Sequence, residues 1–159
     1  MSTSGKAVRE SQVITTQLVL PNDTNQLGNL LGGTLMHWID VVAAICAKRH
    51  TGRVCVTASV DGLNFHHPIK LGEVVTLQAS VNRAFTTSME IGVLVTAESR
   101  RAEDRRANNA YLTFVAIDKA GRPVRVPPVV PESPEEKRRF QEALHRRELR
   151  LRHRPGEER

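Results

Sequence analysis

One carboxylate interrupts an otherwise apolar stretch of this chain. Between Leu35 and Ala47 the only polar residues are His37 and Asp40. Burying an ionised carboxylate costs free energy unless the group is paired, hydrogen-bonded or used in chemistry. Asp40 is therefore a candidate general base for the activation of water. The alternative is a structural acid that bonds the nearby backbone or His37, which lies three residues earlier on a neighbouring part of the same helical face.

Two glycines, Gly32 and Gly33, precede the apolar stretch. Glycine lets the backbone turn sharply and leaves its N–H groups uncovered, and the first N–H groups of a helix are unpaired and carry partial positive charge. In a helix, Asp40 lies about 10 Å from Gly33 along the axis. A reacting atom must lie about 3 Å from both the oxyanion donors and the base. The spacing therefore favours a dimer in which two chains share each site.

Hydrophobic periodicity predicts the elements that must position these groups. A helix that is apolar on every side is buried on every side, and this one is too short to cross a bilayer, which requires about 20 apolar residues. Strand-like composition or alternation predicts one strand before the helix and four after it, at 13–20, 53–65, 73–83, 88–98 and 107–117. Alternation is typical of an antiparallel sheet with one face on a core. We expect an α+β fold in which about five antiparallel strands wrap around the central helix.

The first strand after the helix carries a specific expectation about its faces. Four small apolar residues alternate along it and should share one face: Val54, Val56, Ala58 and Val60. A regular strand turns every second side chain to the same side. This side is therefore expected to lie on the core.

Composition divides the chain into three segments. Residues 1–12 are expected to be disordered, 13–130 to form the folded domain, and 131–159 to form a charged helical tail that lies on the surface or projects from it. Five of the eight prolines fall within 123–134, which predicts an irregular connection before the tail helix. Acidic residues near the start of that helix and basic residues near its end match the helix dipole.

The composition argues against several classes of function. The net charge of +6 is spread along the chain, which suits anionic ligands such as phosphates but is weak evidence for nucleic acid. With one Trp and one Tyr, an aromatic platform for stacking single strands is not expected. The polar N-terminus lacks the apolar core of a signal peptide, and no stretch is long enough to span a membrane. We therefore expect a cytoplasmic protein with neither nucleic acid nor membrane as a partner.

Other reactive side chains lack a supporting pattern. The adjacent His66 and His67 have no third ligand residue, so a loop role is favoured over a metal site. Cys46 and Cys55 fall in no metal-ligand spacing and are expected to be small buried residues. No metal is therefore expected.

Several motifs are specific enough to compare with known families. The run 21–40 contains Asp-Thr-Asn, two glycines and the helix aspartate, and shorter motifs lie at 64–69, 83–90 and 113–116. Together with the order of elements over about residues 13–130, they resemble the hotdog-fold acyl-CoA thioesterases. Within that family the chain is most similar to the group of bacterial short- and medium-chain acyl-CoA hydrolases and brain-type cytosolic acyl-CoA hydrolases.

The resemblance implies hydrolysis of acyl-CoA to a free fatty acid and coenzyme A, with no cofactor beyond the coenzyme A of the substrate. In that family the helix aspartate acts as base or nucleophile, a role that falls on Asp40. An asparagine of the partner subunit helps to position the water and the thioester, a role that falls on Asn25. Backbone N–H groups near Gly32 and Gly33 would polarise the thioester carbonyl. The implied assembly is a homodimer with shared active sites, arranged as a trimer of dimers.

Contacts to coenzyme A are also implied by the resemblance. Four polar residues of the shorter motifs are the candidates: Asn64, Arg83, Thr87 and Ser88. Four arginines either hold the phosphates or solvate a charged loop: Arg100, Arg101, Arg105 and Arg106. The chain departs from many members at Leu31, where they have an aromatic residue, and at His66-His67, where they have an aliphatic and a basic residue. Both departures bear on the preference for the acyl chain or the pantetheine arm.

Two other classes of function remain open from the sequence. A hotdog-fold enoyl-CoA hydratase would add water to a double bond and release no thiol. A non-catalytic acyl-CoA-binding or regulatory protein, or an RNA-associated module, would use the basic surface and show salt-dependent binding. Neither alternative explains why an acid lies within an apolar helix behind Gly32 and Gly33.

Overall fold

The computed structural model describes residues 4–65, 67–99 and 105–153. Predictions about His66, Arg100 and Arg101 lie outside these residues, as do those about the side chains of Arg105 and Arg106. The described chain forms seven strands and two long helices, in this order: β1 (Lys6–Ala7), β2 (Val13–Leu18), α1 (Gly32–Thr51), β3 (Val54–Asp61), β4 (Val74–Ala84), β5 (Ser88–Glu98), β6 (Arg105–Ile117), β7 (Val129–Val130) and α2 (Pro134–Arg152).

Five of these strands form one antiparallel sheet in the order β2-β4-β5-β6-β3. The helix α1 packs against one face of the sheet, which we call the inner face, and α2 packs against the opposite, outer face. The predicted α+β fold with five antiparallel strands and a long central helix is therefore confirmed. Because β2 and β3 lie at the two ends of the strand order, each is bonded to only one neighbour within the sheet.

The core lies between α1 and the inner face. Buried α1 residues recur every three or four positions and form one stripe: Leu35, Ile39, Val42, Ala43, Cys46, Ala47 and His50. The apolar residues that alternation predicted on one face of β4, β5 and β6 are all at most 2% exposed. Each large side chain buried in this way stabilises the fold by about 1.5–3 kcal/mol. The helix ends at Gly52, whose φ of 66° is the left-handed conformation that glycine adopts without strain.

The prediction that α1 is buried on every side is wrong for the single chain. His37 is exposed, and Val41 and Ile45 are 44% and 37% exposed on the side that faces away from the sheet. The sequence pattern was apolar all round, whereas one sheet can cover only one side of a helix. The uncovered side is therefore available for contact with another chain.

The prediction for the faces of β3 is also wrong. Val54 and Val56 are 66% and 44% exposed while Cys55 between them packs on the core, and a β-bulge then changes the faces of the residues that follow. Thr57 pairs with Phe114 and Ser59 pairs with Thr113, so that Ala58 is an extra residue without a counterpart in β6. A bulge shifts the alternation of side chains by one position. Val60 consequently lies on the opposite face from Val54, although six residues separate them.

The N-terminal segment is ordered from residue 4 onward, which differs from the predicted disorder over 1–12. Lys6 and Ala7 pair in parallel with Val129 and Val130, and Val8 is only 3% exposed. Polar composition suggested disorder, but two short segments far apart in sequence satisfy each other's backbone groups here. The irregular connection before α2 is held in place by this pairing.

The C-terminal helix α2 starts with a complete cap. Ser133 Oγ accepts a hydrogen bond from the N–H of Glu136 at 3.1 Å, and the Glu136 carboxylate accepts one from the N–H of Ser133 at 2.7 Å. The backbone N–H groups of Ser133 and Glu132 both donate to this carboxylate and lower the pKa of Glu136, with Ser133 the larger cause. The predicted tail helix is confirmed, and it lies on the sheet instead of projecting from it, with Ala143 fully buried.

A buried carboxylate, Glu90, joins α2 to the outer face. It is 0% exposed and accepts hydrogen bonds from Asn82 Nδ2 at 2.9 Å and from the Arg146 guanidinium at 2.7–3.2 Å. Gly92 leaves room for Asn82, since a Cβ at that glycine would lie 2.7 Å from Asn82 Nδ2. Arg146 also stacks on the Tyr111 ring at 3.7 Å. Directional polar contacts therefore fix how α2 sits on the sheet.

Candidate active site

Asp40 is half-buried on α1 and is hydrogen-bonded to a residue of β3. The Thr57 hydroxyl donates to Asp40 Oδ1 at 2.6 Å. Neither His37 nor a backbone group takes this place, so the alternative of an acid bonded locally is not what the structure shows. Among the described residues Asp40 Oδ2 has no hydrogen-bond partner. One carboxylate oxygen is thus held and the other is open to a water molecule or a substrate.

The N-terminus of α1 is uncapped. The residue before the helix is Leu31, which offers no side-chain hydrogen bond. Counting from the start of α1, Leu35 is the first residue whose N–H has a described acceptor, the Leu31 carbonyl at 3.1 Å. The N–H groups of Gly32, Gly33 and Thr34 have no acceptor in the part of the chain that the structure describes. They form a cluster of donors at the positive end of the helix dipole.

Neither glycine at this helix start is required by the chain itself. Both lie outside the residues with positive φ, so an L-residue could adopt the same backbone. A Cβ at Gly33 would meet nothing within 4 Å, and one at Gly32 would make ordinary contact at 3.5 Å with the Phe65 ring. Glycine also allows close approach of the backbone by a ligand or another chain. The reason for these glycines must therefore lie outside the single chain.

Asn25 lies in the loop before α1 with its amide group oriented by the backbone. Its Oδ1 accepts hydrogen bonds from the N–H groups of Leu27 at 2.9 Å and Asn29 at 3.2 Å. These two donors identify the oxygen of the side chain. The Nδ2 group has no described partner and Asn25 is exposed. The loop thus holds an outward-facing N–H donor in a defined orientation.

The Asn25 loop and the connection after β3 meet at the N-terminal end of α1. Leu30 donates its N–H to the Ile69 carbonyl at 2.6 Å, and the Leu71 N–H donates to the Gly28 carbonyl at 2.9 Å. The connection between β3 and β4 also carries Asn64 and Phe65, and the Phe65 ring lies against Gly32. Asn64 and Asn25 therefore belong to loops at the same end of the helix.

The remaining candidates for coenzyme A contacts are not brought to Asp40 within one chain. Arg83 stacks on the Phe140 ring at 4.0 Å and donates to the Phe140 carbonyl at 3.1 Å, and Ser88 Oγ accepts from Arg147 at 3.2 Å. Both contacts are to α2 on the outer face, whereas Asp40 lies on the inner side. Thr87 lies in the turn between β4 and β5, at the same edge as Ser88. The sheet thus separates Arg83 and Ser88 from the carboxylate of their own chain.

The cysteines and histidines outside this site offer little chemistry. Burial raises the pKa of the Cys46 thiol to about 12 and also raises that of Cys55, whose Sγ lies 3.3 Å from Thr51 Oγ1. Both are therefore weak nucleophiles. No three His, Cys, Asp or Glu side chains in the described ranges are grouped closely enough to hold a metal ion. Neither described helix is long and apolar enough to cross a membrane.

Thr57 is the residue of this site that sequence reasoning missed. The alternation of β3 suggested that Val54, Val56 and Ala58 define the buried face, which left Thr57 facing away from α1. The structure has the opposite orientation: Val54 and Val56 are exposed, Cys55 packs on the core, and Thr57 shares the face of Cys55. A threonine among valines in an edge strand carries no sequence signal of its own.

Comparison with known proteins assigns the family. Residues 27–103 match the family model described as "Thioesterase superfamily". The acyl-CoA thioester hydrolase YkhA of Bacillus subtilis, itself described as uncharacterized, is 46% identical over 129 residues, which are 80% of this chain and 75% of that protein. Acyl-coenzyme A thioesterase 11 of mouse is 43% identical over 89% of this chain, which spans about a quarter of that longer protein, 24%.

Solved structures agree with this assignment. The crystal structure of an acyl-CoA hydrolase from Bacillus cereus has a TM-score of 0.89 at 38% identity and covers 93% of this chain and 91% of its own. An acyl-CoA hydrolase from Staphylococcus aureus, solved with butyryl coenzyme A and coenzyme A, has a TM-score of 0.79 at 38% identity, with 92% of each chain covered. Other neighbours are described as hexameric acyl-CoA thioesterases.

The Staphylococcus aureus hydrolase has also been solved as three alanine variants, of an asparagine, an aspartate and a threonine. The three replaced positions have the same order and the same spacing as Asn25, Asp40 and Thr57 in this chain. Overall similarity in sequence and fold thus extends to the residues around Asp40. This chain belongs to the thioesterase superfamily, among its hotdog-fold acyl-CoA hydrolases.

Proposed function

We propose that this protein hydrolyses acyl-CoA thioesters to free carboxylic acid and coenzyme A, with Asp40 as the residue that activates water. The observation that carries the proposal is the hydrogen bond of 2.6 Å from the Thr57 hydroxyl to Asp40 Oδ1, which holds the carboxylate and leaves Oδ2 open. The bond keeps the carboxylate in one orientation, and a positioned base within reach of water is what general-base catalysis requires.

The reaction follows from the groups present. Asp40 Oδ2 accepts a proton from water as the water oxygen attacks the thioester carbonyl carbon. The carbonyl oxygen becomes an oxyanion, which N–H groups at a helix N-terminus stabilise. Collapse of this tetrahedral species breaks the C–S bond, and the departing thiolate receives the proton, so that one water is consumed for each acid and thiol formed. General-base assistance is worth about 10²–10⁴-fold in rate and one oxyanion donor about 10²–10³-fold.

The two glycines support the placement of the oxyanion at the start of α1. Alanine would fit the backbone and the space at Gly33, and it would favour the helix by up to about 1 kcal/mol. A site that must admit the thioester carbonyl against the backbone N–H groups explains why no side chain is present. The uncapped N–H groups of Gly32 and Gly33 are then donors reserved for a ligand.

We also propose that each site is shared by two chains. Gly33 and Asp40 are about 10 Å apart along α1, too far for one thioester to touch both. The side of α1 with Val41 and Ile45 is exposed, and the outer edge of β3 has no partner strand among the described residues. Antiparallel pairing of two β3 edges would extend the sheet across a homodimer and set the N-terminal end of one α1 beside the middle of the other. Asn25 of one chain would then meet Asp40 of its partner.

The higher assembly follows from the relatives. Neighbours described as hexameric acyl-CoA thioesterases support a homo-oligomer, and we propose a trimer of such dimers. Arg83, Thr87 and Ser88 lie away from Asp40 of their own chain, so a role in holding coenzyme A requires a substrate bound mainly by a neighbouring chain. Asn64, at the N-terminal end of α1, can contact a substrate held at that helix end.

A thiol-release assay across acyl-CoA chain lengths tests the function. We expect release of free coenzyme A from at least one chain length, with Asp40→Asn inactive and still folded. Release of thiol distinguishes hydrolysis from hydration of an enoyl-CoA, which leaves the thioester intact. Absence of turnover at every chain length would overturn the proposal.

A further inference from the structure

An ion pair on the outer face includes a residue that is close in sequence to the candidate site. Arg150 Nη1 of α2 is 2.7 Å from Asp61 Oδ2 at the end of β3, and the two side chains are 22% and 32% exposed. Asp61 follows Thr57 by four residues. We propose that Arg150 is a positioning residue which, through Asp61, fixes the path of β3 that holds Thr57 against Asp40. The inference rests on the proposed roles of Asp40 and Thr57.

The bulge in β3 makes this connection specific. Residues four apart in a regular strand point to the same face. Thr57 nevertheless contacts α1 on the inner side, whereas Asp61 contacts α2 on the outer side. The extra residue, Ala58, accounts for the change of face. The two contacts therefore hold the strand on either side of the bulge, one from each helix.

The strand itself specifies this arrangement only weakly. In the part of the chain that the structure describes, β3 is bonded to β6 alone. An edge strand with a bulge has alternative positions for the extra residue. If Thr57 became the extra residue in place of Ala58, its side chain would leave the face that contacts α1. If the bulge were lost, Asp61 would turn towards the inner face. An ion pair that keeps Asp61 outside opposes the second change and restrains the strand next to the bulge.

The surroundings of Arg150 show why it is a firm anchor. Its Nη1 also lies 3.8 Å from Glu90 Oε2, and Glu90 is fully buried and bonded to Arg146. Arg146 stacks on the Tyr111 ring, and Tyr111 pairs with Asp61 across the two strands. The backbone leaves β3 at Gly62, with φ of 71°, and a Cβ there would lie 3.4 Å from the Tyr111 ring. Arg150 is thus built into a rigid group at the point where β3 ends.

The test compares kcat for Arg150→Met with that of the wild type, using thiol release and protein corrected for folded fraction. Methionine keeps much of the length of the side chain and removes the charge. We expect kcat to fall about tenfold with little change in KM, less than the roughly 100-fold that a 1 Å misplacement can cost. Asp61→Asn should cause a similar loss, and Arg150→Lys, which keeps a cation near Asp61, should recover part of it.

A second experiment, a double-mutant cycle, tests whether Arg150 acts through Thr57. In a Thr57→Val background, which removes the hydroxyl and keeps the shape, Arg150→Met should cause no further loss in kcat. Full additivity of the two losses would overturn the proposal, since it would mean that Arg150 acts independently of Thr57. A wild-type kcat for folded Arg150→Met would overturn it as well.

The matched control is Arg138→Met on the same helix. Arg138 pairs with Glu135 and Glu142 of α2 itself, at 3.8 Å and 3.1 Å. Its replacement by methionine should leave kcat unchanged. Hydrogen exchange provides a measurement that does not depend on turnover: Arg150→Met should speed exchange of the β3 amides around Thr57 and leave β4 unaffected. If the wild type releases no thiol, the proposed function fails, while unchanged exchange in β3 would separately refute the positioning role.

Discussion

The two helices of this protein meet opposite faces of one sheet in opposite ways. The helix α1 buries an apolar stripe against the inner face and starts without a cap, whereas α2 starts with a complete capping box and contacts the outer face through arginines, carboxylates and aromatic rings. Each face also carries one notable carboxylate. Glu90 on the outer face is fully buried, and Asp40 on the inner side is half-buried.

This difference between the two faces separates polar groups with a structural role from those available for chemistry. Glu90 accepts hydrogen bonds from Asn82 and Arg146 on both of its oxygens, so it has little capacity left. Asp40 has one held oxygen and one without a described partner. At the start of α2, Ser133 and Glu136 satisfy each other's N–H groups, while the first N–H groups of α1 have no acceptor among the described residues. The candidate site is therefore marked by polar groups of α1 that lack described partners, whereas the corresponding groups near α2 have them.

The largest effect is expected from removing the basic oxygen of Asp40. Asp40→Asn keeps the size of the side chain and can still accept from Thr57, so the protein should stay folded. The kcat for thiol release should fall by about 10²–10⁴-fold. Circular dichroism and thermal unfolding serve as the control. A folded variant with wild-type turnover would show that Asp40 is no more catalytic than Glu90.

Breaking the buried pair on the other face should act on stability. Arg146→Met leaves Glu90 buried and without its main partner, and breaking a buried pair in this way costs about 3–5 kcal/mol in the free energy of unfolding. Denaturant titration at fixed protein concentration measures the loss. Replacing both partners, in Arg146→Met with Glu90→Gln, should recover part of it, because no unpaired charge then remains and an oxygen is still present to accept from Asn82 Nδ2. A small loss in the single variant would mean that Glu90 is not the anchor described above.

The shared site can be tested by mixing two inactive variants. Asn25→Asp keeps an oxygen to accept from the N–H groups of Leu27 and Asn29 and removes the Nδ2 donor, whereas Asn25→Ala would also remove the acceptor of the loop bonds. Together with Asp40→Asn, mixed dimers contain one site with both residues intact. Random exchange and independent sites should restore up to about a quarter of wild-type activity, because a positioned pair acts as a unit. Confirmed exchange without recovery would show that the residues do not meet across the interface.

Filling the uncapped helix start should produce a smaller change. Gly33→Ala adds a methyl group where the chain has nothing within 4 Å, so stability should hold or rise by up to about 1 kcal/mol. The methyl group would crowd the thioester carbonyl, and we expect kcat to fall about tenfold, below the loss of a whole oxyanion donor. Unchanged kinetics would place the oxyanion elsewhere. Thermal unfolding of the same variant checks that any loss of kcat is not a loss of fold.

The smallest effect concerns His50, a polar group at the end of the α1 stripe. It is fully buried, its Nε2 lies 2.7 Å from the Pro127 carbonyl oxygen, and burial lowers the pKa of its ring. Because this lowered pKa makes the folded chain bind a proton less readily than the unfolded chain below pH 6.5, the free energy of unfolding should fall as pH drops from 6.5. The slope is at most about 1.4 kcal/mol per pH unit. His50→Gln should flatten the slope in that range, and an equal slope would assign it to other groups.

The sequence alone was sufficient for the class of fold and for the family. Period-two alternation in β4, β5 and β6 identified their buried faces, since a strand with one face on a core must alternate. The charge in an apolar helix and the glycines before it drew attention to Asp40, Gly32 and Gly33 through local spacing. These features depend on residues that are near one another along the chain, where the geometry of a helix or strand is known in advance.

Tertiary structure alone decided which of these residues meet. The partner of Asp40 is Thr57, because β3 turns Cys55 and Thr57 to the inner face and leaves Val54 and Val56 exposed, which only the pairing with β6 reveals. Arg83 and Ser88 lie on the far side of the sheet from Asp40, held by α2. The exposed side of α1 likewise could not be predicted from a helical wheel that is apolar all round, since burial depends on which elements cover each side of the helix. Register and the docking of distant elements are long-range properties, and no local pattern in the sequence encodes them.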